Sequence, residues 1–96
     1  MLPLVGCKNF SLSLVLHTVI SNMIKKFISI KFGDKVREVR ISKNLSQEQL
    51  ADLSNVHRTY IGFIEQGKRN PVIGNIFKIS KALNISLKEL FSTFEK

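Results

Sequence analysis

Two stretches of this chain carry the same signal. In LSQEQL (45–50) and ISLKEL (85–90), a serine is followed three places later by Gln or Glu. An apolar residue stands just before each serine and again four places after it. Each pattern marks a helix start: the serine oxygen accepts from an unpaired backbone amide, the Gln or Glu side chain reaches back, and the flanking apolar pair clips the entering chain. Ser46 and Gln49, with Leu45 and Leu50, set the first; Ser86 and Glu89, with Ile85 and Leu90, set the second. A sequence punctuated in this way folds into short helices.

The other helix boundaries follow from that grammar. FGDKVREVRISKN (32–44) has Phe32, Val36 and Val39 at helical spacing, Asp34 in the first turn and Lys43 in the last, which suits the helix dipole. The helix opened by Ser46 begins at Gln47 and reaches about Ser54, where Asn55 tolerates the positive φ of a tight turn. The next runs from about His57 to Gln66, and Gly67 stops it ahead of the basic loop KRNP. Val72, Ile73, Ile76, Phe77, Ile79, Ala82 and Leu83 give a fourth helix a broad apolar face, closed by Asn84. A fifth is expected over 87–94. The expected class is all-α, with no strand signal inside the domain.

Composition divides the chain. Lys8 is the only charged residue in 1–22, so fourteen of the fifteen Lys and Arg, and all seven acids, lie in 23–96. The first segment lacks the basic start and small-residue cleavage site of a signal peptide, and Lys8, His17 and Asn22 break any run near the ~20 apolar residues a spanning helix needs. Phe10, Leu12, Leu14 and Leu16 alternate with Ser11 and Ser13, the pattern of a short strand or a flexible apolar extension. Residues 1–22 are therefore read as an apolar N-terminal extension: a disordered appendage or misassigned start, a dimer-stabilising element, or a membrane contact. Residues 23–96 are read as one domain. Net charge +8 and a pI near 10 favour an anionic partner. A single cysteine, Cys7, permits no internal disulfide, and no Cys/His cluster has metal-ligand spacing, so a metal-free, cofactor-free cytoplasmic protein is expected. No paired carboxylates, nucleophile with adjacent base, or phosphate-cradling glycine loop points to an enzyme.

Two helices of eight or nine residues joined by about three match a helix-turn-helix, whose second helix enters the DNA major groove. Ala51 is small where the helices must pass closely, and Val56, Ile61 and Ile64 supply the contacts behind the turn. QEQLADLSNVHRTYIGFIEQGKRNP closely resembles the Cro/C1-type helix-turn-helix family, across about residues 32–94. The resemblance implies a five-helix, lambda-repressor-like DNA-binding domain. Gln47 then corresponds to the residue that meets a phosphate at a helix N-terminus. His57, Arg58, Thr59 and Phe63 correspond to the positions facing base edges, with Arg58 suited to the O6 and N7 acceptors of guanine and Thr59 and Phe63 to a thymine methyl. Lys68, Arg69 and Asn70, together with Lys43 and the hydroxyl of Tyr60, become phosphate contacts that set position without reading sequence. Arg40 and Glu65 match a family pair that orients the recognition helix, a buried pair or else a solvent-exposed one worth little.

HRTYIGFIEQGKRNP followed by two short helices is similar to the controller proteins of restriction-modification systems. That likeness implies a homodimer with Ile85, Leu87, Leu90, Phe91 and Phe94 at the interface, or else in an ordinary core. It further implies near-palindromic operators and control of the protein's own promoter in a bacterium or phage. A phage-type repressor, an antitoxin, and a protein-interaction or membrane-tethered module are the alternatives. Gly62 and Gly74 depart from good helix sequence, each costing ~1 kcal/mol relative to alanine.

Overall fold

The computed structural model describes the backbone of residues 2–94 and the side chains of 14–94, and all regular structure among them is helical. Five α-helices, α1 (Leu2–Ser42), α2 (Gln47–Ser54), α3 (Arg58–Glu65), α4 (Ile73–Leu83) and α5 (Leu87–Leu90), are followed by a 3₁₀ turn, Ser92–Phe94. The core lies where α1–α5 converge: Phe32, Val36 and Val39, Leu50 and Ala51, Ile61 and Ile64, Ile79 and Leu83, and Leu90 are all buried. These are the positions that the 3.6-residue spacing selects.

Helix ends explain why so small a body holds five elements. Ser46 Oγ accepts from the Gln49 amide at 3.0 Å and the Ser46 amide donates to Gln49 Oε1 at 2.7 Å, so the first capping box is complete. Ser86 Oγ accepts from the Glu89 amide at 3.0 Å, while the exposed Glu89 carboxylate makes no reciprocal bond. Four helices end on a left-handed residue: Asn44, Asn55, Gly67 and Asn84, with φ between 57° and 75°. At each, the amide of the left-handed residue and the one after it bond back into the last helical turn, as in Gly67 N–H to Ile64 O and Lys68 N–H to Phe63 O.

Three expectations need correction. The first helix does not start near Phe32: α1 extends back to Leu2, and residues 10–16, whose alternation suggested a strand or flexible extension, lie within it. Apolar residues of the segment, such as Leu16, Ile20, Met23 and Phe27, stand exposed, so no sheet or core draws them into another conformation. At ~1.5 Å per residue this helix accounts for the 64 Å long axis of the molecule. The fifth helix breaks after Leu90, where Ser92 Oγ bonds back to Glu89 O at 2.8 Å and the chain tightens into the 3₁₀ turn. Finally, Val72, Ile73 and Phe77 are exposed, so α4 buries a narrower face than its composition suggests. No helix among the described residues is long and apolar enough to cross a membrane.

Two glycines bring α1 against the end of α3. A Cβ on Gly33 would lie 2.1 Å from Ile64 O and 3.0 Å from Glu65 O. A Cβ on Gly67 would lie 2.6 Å from Ile30 Cγ1 and 2.9 Å from its Cα. Neither position admits a side chain without moving backbone, so the depth at which α3 sits on α1 is fixed by what is missing there.

Candidate nucleic-acid interface

Helix α3 turns Ile61 and Ile64 fully inward, and its other side is open. The turn before it is tight: Val56 N–H bonds Ala51 O at 3.0 Å, which brings α2 and α3 together over the 2%-exposed Ala51. His57 caps the helix, its Nδ1 accepting from the Thr59 amide at 3.1 Å. That leaves the ring proton on Nε2, which is free to donate outward. The histidine expected to touch bases thus also has a local job.

Arg58, Thr59, Gly62, Phe63 and Gln66 border one shallow depression together with Gln47 of α2. A Cβ on Gly62 would meet nothing closer than Gln47 Oε1 at 3.9 Å, so this face has room for an approaching surface. Phe63 is 37% exposed, an apolar ring held at the surface because Ile61 and Ile64 already fill the inward positions. A second depression joins His57, Thr59, Tyr60 and Phe63 to Arg69 and Asn75. A third is bordered by Lys68, Arg69 and Asn70. None of the side chains bordering the three is acidic.

The one acid of α3 is turned away from this face. Glu65, with a side chain 3% exposed, takes Arg40 Nε on Oε2 at 2.6 Å and Arg40 Nη2 on Oε1 at 3.0 Å. Arg40 Nη1 donates to Leu45 O at 2.7 Å, and Gln47 Nε2 donates to Glu65 Oε1 at 3.0 Å. The pair is the buried, bidentate version rather than the solvated one. It ties the end of α3 to α1, to the loop before α2 and to the start of α2. Gln47, expected at a phosphate, therefore spends one side-chain N–H on Glu65, which leaves its second amide proton and the backbone amides of the first turn of α2 for an outside acceptor.

Tyr60 is half-buried and its hydroxyl accepts from Asn75 Nδ2 at 2.9 Å, with the Arg69 guanidinium 5.9 Å from the ring centroid. Because the oxygen is the acceptor, the phenolic proton remains available to an outside acceptor such as a phosphate. Asn75, Gln66 and Gly33 were not singled out by sequence. Asn75 carries no periodic or motif signal, and Gly33 sits in an otherwise ordinary helical pattern.

Of the remaining expected contacts, Lys43 is exposed in the turn after α1 and borders none of the three depressions. The expected dimer set is divided by the structure. Leu90 is fully buried in the core and Phe91 stacks on Phe32 with ring centroids 5.6 Å apart. Leu90 is thereby unavailable to a partner, because closing α5 onto α1 and α4 requires it. Leu87 and Phe94 are exposed and Ile85 is half-buried. Among the described residues, no three His, Cys, Asp or Glu side chains converge as a metal site.

A helix-turn-helix family model matches residues 36–90. The control protein C.BamHI of Bacillus amyloliquefaciens is 55% identical over 64 residues, covering 66% of this chain and 79% of that protein. The control protein C.MunI of a Mycoplasma species is 49% identical over 70 residues, covering 72% of this chain and 95% of that protein. Among solved structures, the restriction-modification controller protein C.AhdI of Aeromonas hydrophila superposes with a TM-score of 0.65 at 49% identity, over 66% of this chain and 96% of that one.

Proposed function

The chain belongs to the helix-turn-helix family, and on that premise we propose that it is a sequence-specific DNA-binding transcriptional regulator of the restriction-modification controller type. It acts by occupying a promoter, its own included, and it binds without catalysing a reaction. The observation that carries the reading is the outer face of α3: Arg58, Thr59 and Phe63 open around Gly62, with Glu65 withdrawn onto Arg40. A basic fork and two apolar groups on an accessible helix suit guanine and thymine edges in the major groove. Lys68, Arg69, Asn70 and the free proton of Tyr60 suit the flanking phosphates. The similarity to control proteins favours this role over a phage-type repressor or an antitoxin.

Operation as a homodimer on two half-sites about one helical turn apart, ~34–36 Å, is part of the proposal. Leu87, Phe94 and the exposed part of Ile85 form its C-terminal interface. Residues 23–96 form the DNA-binding unit and 1–22 an appendage to it, and the site of action is the bacterial cytoplasm, on the nucleoid. Selection of bound duplexes from a random pool tests the reading. Enriched inverted repeats, bound at physiological salt at least about a thousandfold more tightly than random duplex, are expected. Equal affinity for selected and random duplexes refutes it.

A further inference from the structure

The cleft beside the basic loop has a second wall. Lys25 and Lys26 of α1 face Lys68 and Arg69 across a cavity of about 540 Å³, with the buried Ser29 between them on α1 and no acid on its border. Both lysines precede residues 36–90, the span matched by the family model. Nothing in the helix-turn-helix itself assigns them a role.

Their placement on α1 is specific. Residues 22, 25, 26, 29, 33, 36 and 40 recur at helical spacing and form one row along the helix. Lower in that row Gly33 meets α3, Val36 enters the core and Arg40 holds Glu65. An amphipathic helix extended along its own body-facing row ordinarily continues it with apolar residues. Here the segment has such residues in plenty, and they point elsewhere: Leu16, Ile20, Met23 and Phe27, spaced alternately by four and three, are exposed on another face. The row facing the exit of the recognition helix carries lysines instead. Placing two more cations opposite Lys68 and Arg69 costs mutual repulsion, which an anion in the cleft removes.

We propose that Lys25 and Lys26, with Lys68 and Arg69, form a phosphate clamp that grips the DNA backbone flanking the half-site read by α3. The proposal rests on the DNA-binding reading above. The interaction is electrostatic, so it adds affinity to every duplex and leaves base preference alone. Gly67 and Ile30 both line the cleft, and because a Cβ on Gly67 would lie 2.6 Å from Ile30 Cγ1, the bare glycine lets the two cationic sides come this close.

The test is the salt dependence of binding of the full chain to a random-sequence duplex of about 30 base pairs. Removing one phosphate-neutralising cation lowers the magnitude of the slope of log K against log salt by ~0.9. Lys25→Ala/Lys26→Ala is expected to lower it by about 1.8, so that between about 50 and 200 mM salt the wild type loses about twelvefold more affinity than the variant. A charge-matched control, Lys78→Ala/Lys88→Ala, removes exposed lysines outside the cleft and is expected to leave the slope unchanged. If Lys25→Ala/Lys26→Ala keeps the wild-type slope while Lys68→Ala/Arg69→Ala flattens it, the clamp is refuted and the regulator reading survives. If the wild type shows no salt-dependent binding to any duplex, both fail together. If inorganic phosphate raises the Tm of the wild type alone and the two DNA slopes are equal, the cleft belongs to a free anion and the DNA clamp is overturned.

Discussion

Replacing Arg40 by methionine keeps an aliphatic stem at this position of α1 and removes the guanidinium. Glu65, 3% exposed, then loses the hydrogen bonds from Arg40 Nε and Nη2 and retains only Gln47 Nε2; Leu45 O loses its donor as well. A buried charge stripped of its partner costs about 3–5 kcal/mol, against about 0.2–1 kcal/mol for an exposed pair. For a chain of 96 residues each kcal/mol lowers Tm by roughly 4–8 °C, so a drop of more than about 12 °C is expected. Urea denaturation is expected to show the same loss as a lower midpoint with an unchanged m-value. Arg40→Met/Glu65→Leu removes both charges and is expected to recover most of the stability, because apolar side chains of similar size replace a buried pair at little cost. It is not expected to recover operator affinity, since the fork that fixed the angle of α3 is gone. A loss under about 1 kcal/mol for Arg40→Met places the pair with solvent-exposed ones and refutes the argument. A double variant with wild-type affinity refutes the orienting role.

Three further perturbations address the reading face and its support. Arg58→Ala is expected to remove about 1–3 kcal/mol of preference at particular base pairs while binding to random duplex changes less, which competition between single-base operator variants measures; a uniform loss at every position counts against a base contact. Gly62→Ala meets nothing closer than 3.9 Å and improves helix propensity, so thermal unfolding should show a gain of about 1 kcal/mol while operator affinity falls because the helix stands farther from the groove; intact affinity makes the glycine merely tolerated. Gly33→Ala introduces a Cβ 2.1 Å from Ile64 O and is expected to destabilise by about 1–3 kcal/mol through forced backbone shifts, so wild-type stability in denaturant titration means α1 and α3 separate at little cost.

What was legible in the sequence was whatever local chemistry decides. Ser46 and Ser86 cap because their spacing to Gln49 and Glu89 suits an amide at N3; Asn55, Gly67 and Asn84 end helices because few residues accept a positive φ. The Arg40–Glu65 pair and the reading face of α3 were reached by family resemblance, and the structure brings Arg40 and Glu65 together as that resemblance implies. What periodicity left unsettled depends on distant neighbours. Leu87 and Leu90 look alike as apolar residues of one short helix, and only the arrival of α1 and α4 buries the second and leaves the first open. The Asn75 bond to Tyr60 joins residues on different helices, and no pattern within either helix encodes it. The alternation over 10–16 misled because period-2 spacing implies a strand only where a sheet exists to bury one face.

The crossing of α1 and α3 joins these features into one mechanical unit. Gly33 sets how closely the helices approach, and the Arg40–Glu65 fork sets their relative angle a turn or two away. At the end of α3 the bonds from Gly67 N–H to Ile64 O and Lys68 N–H to Phe63 O fix the basic loop to the last turn of the reading helix. Loop and reading face thus have little freedom to move separately. On the proposed contacts, a backbone phosphate seated by Lys68 and Arg69 would therefore determine how deep Arg58 reaches, even though a phosphate contact carries no sequence information of its own. Changes far from DNA act through this geometry in different ways: loss of the fork rotates α3, and a side chain at position 33 displaces it. On the proposed docking, rotation is expected to move Arg58 across the base-pair edge and degrade discrimination first, whereas displacement along the groove normal is expected to weaken every base contact together. The two classes of variant are distinguishable by specificity ratio even where their stabilities match.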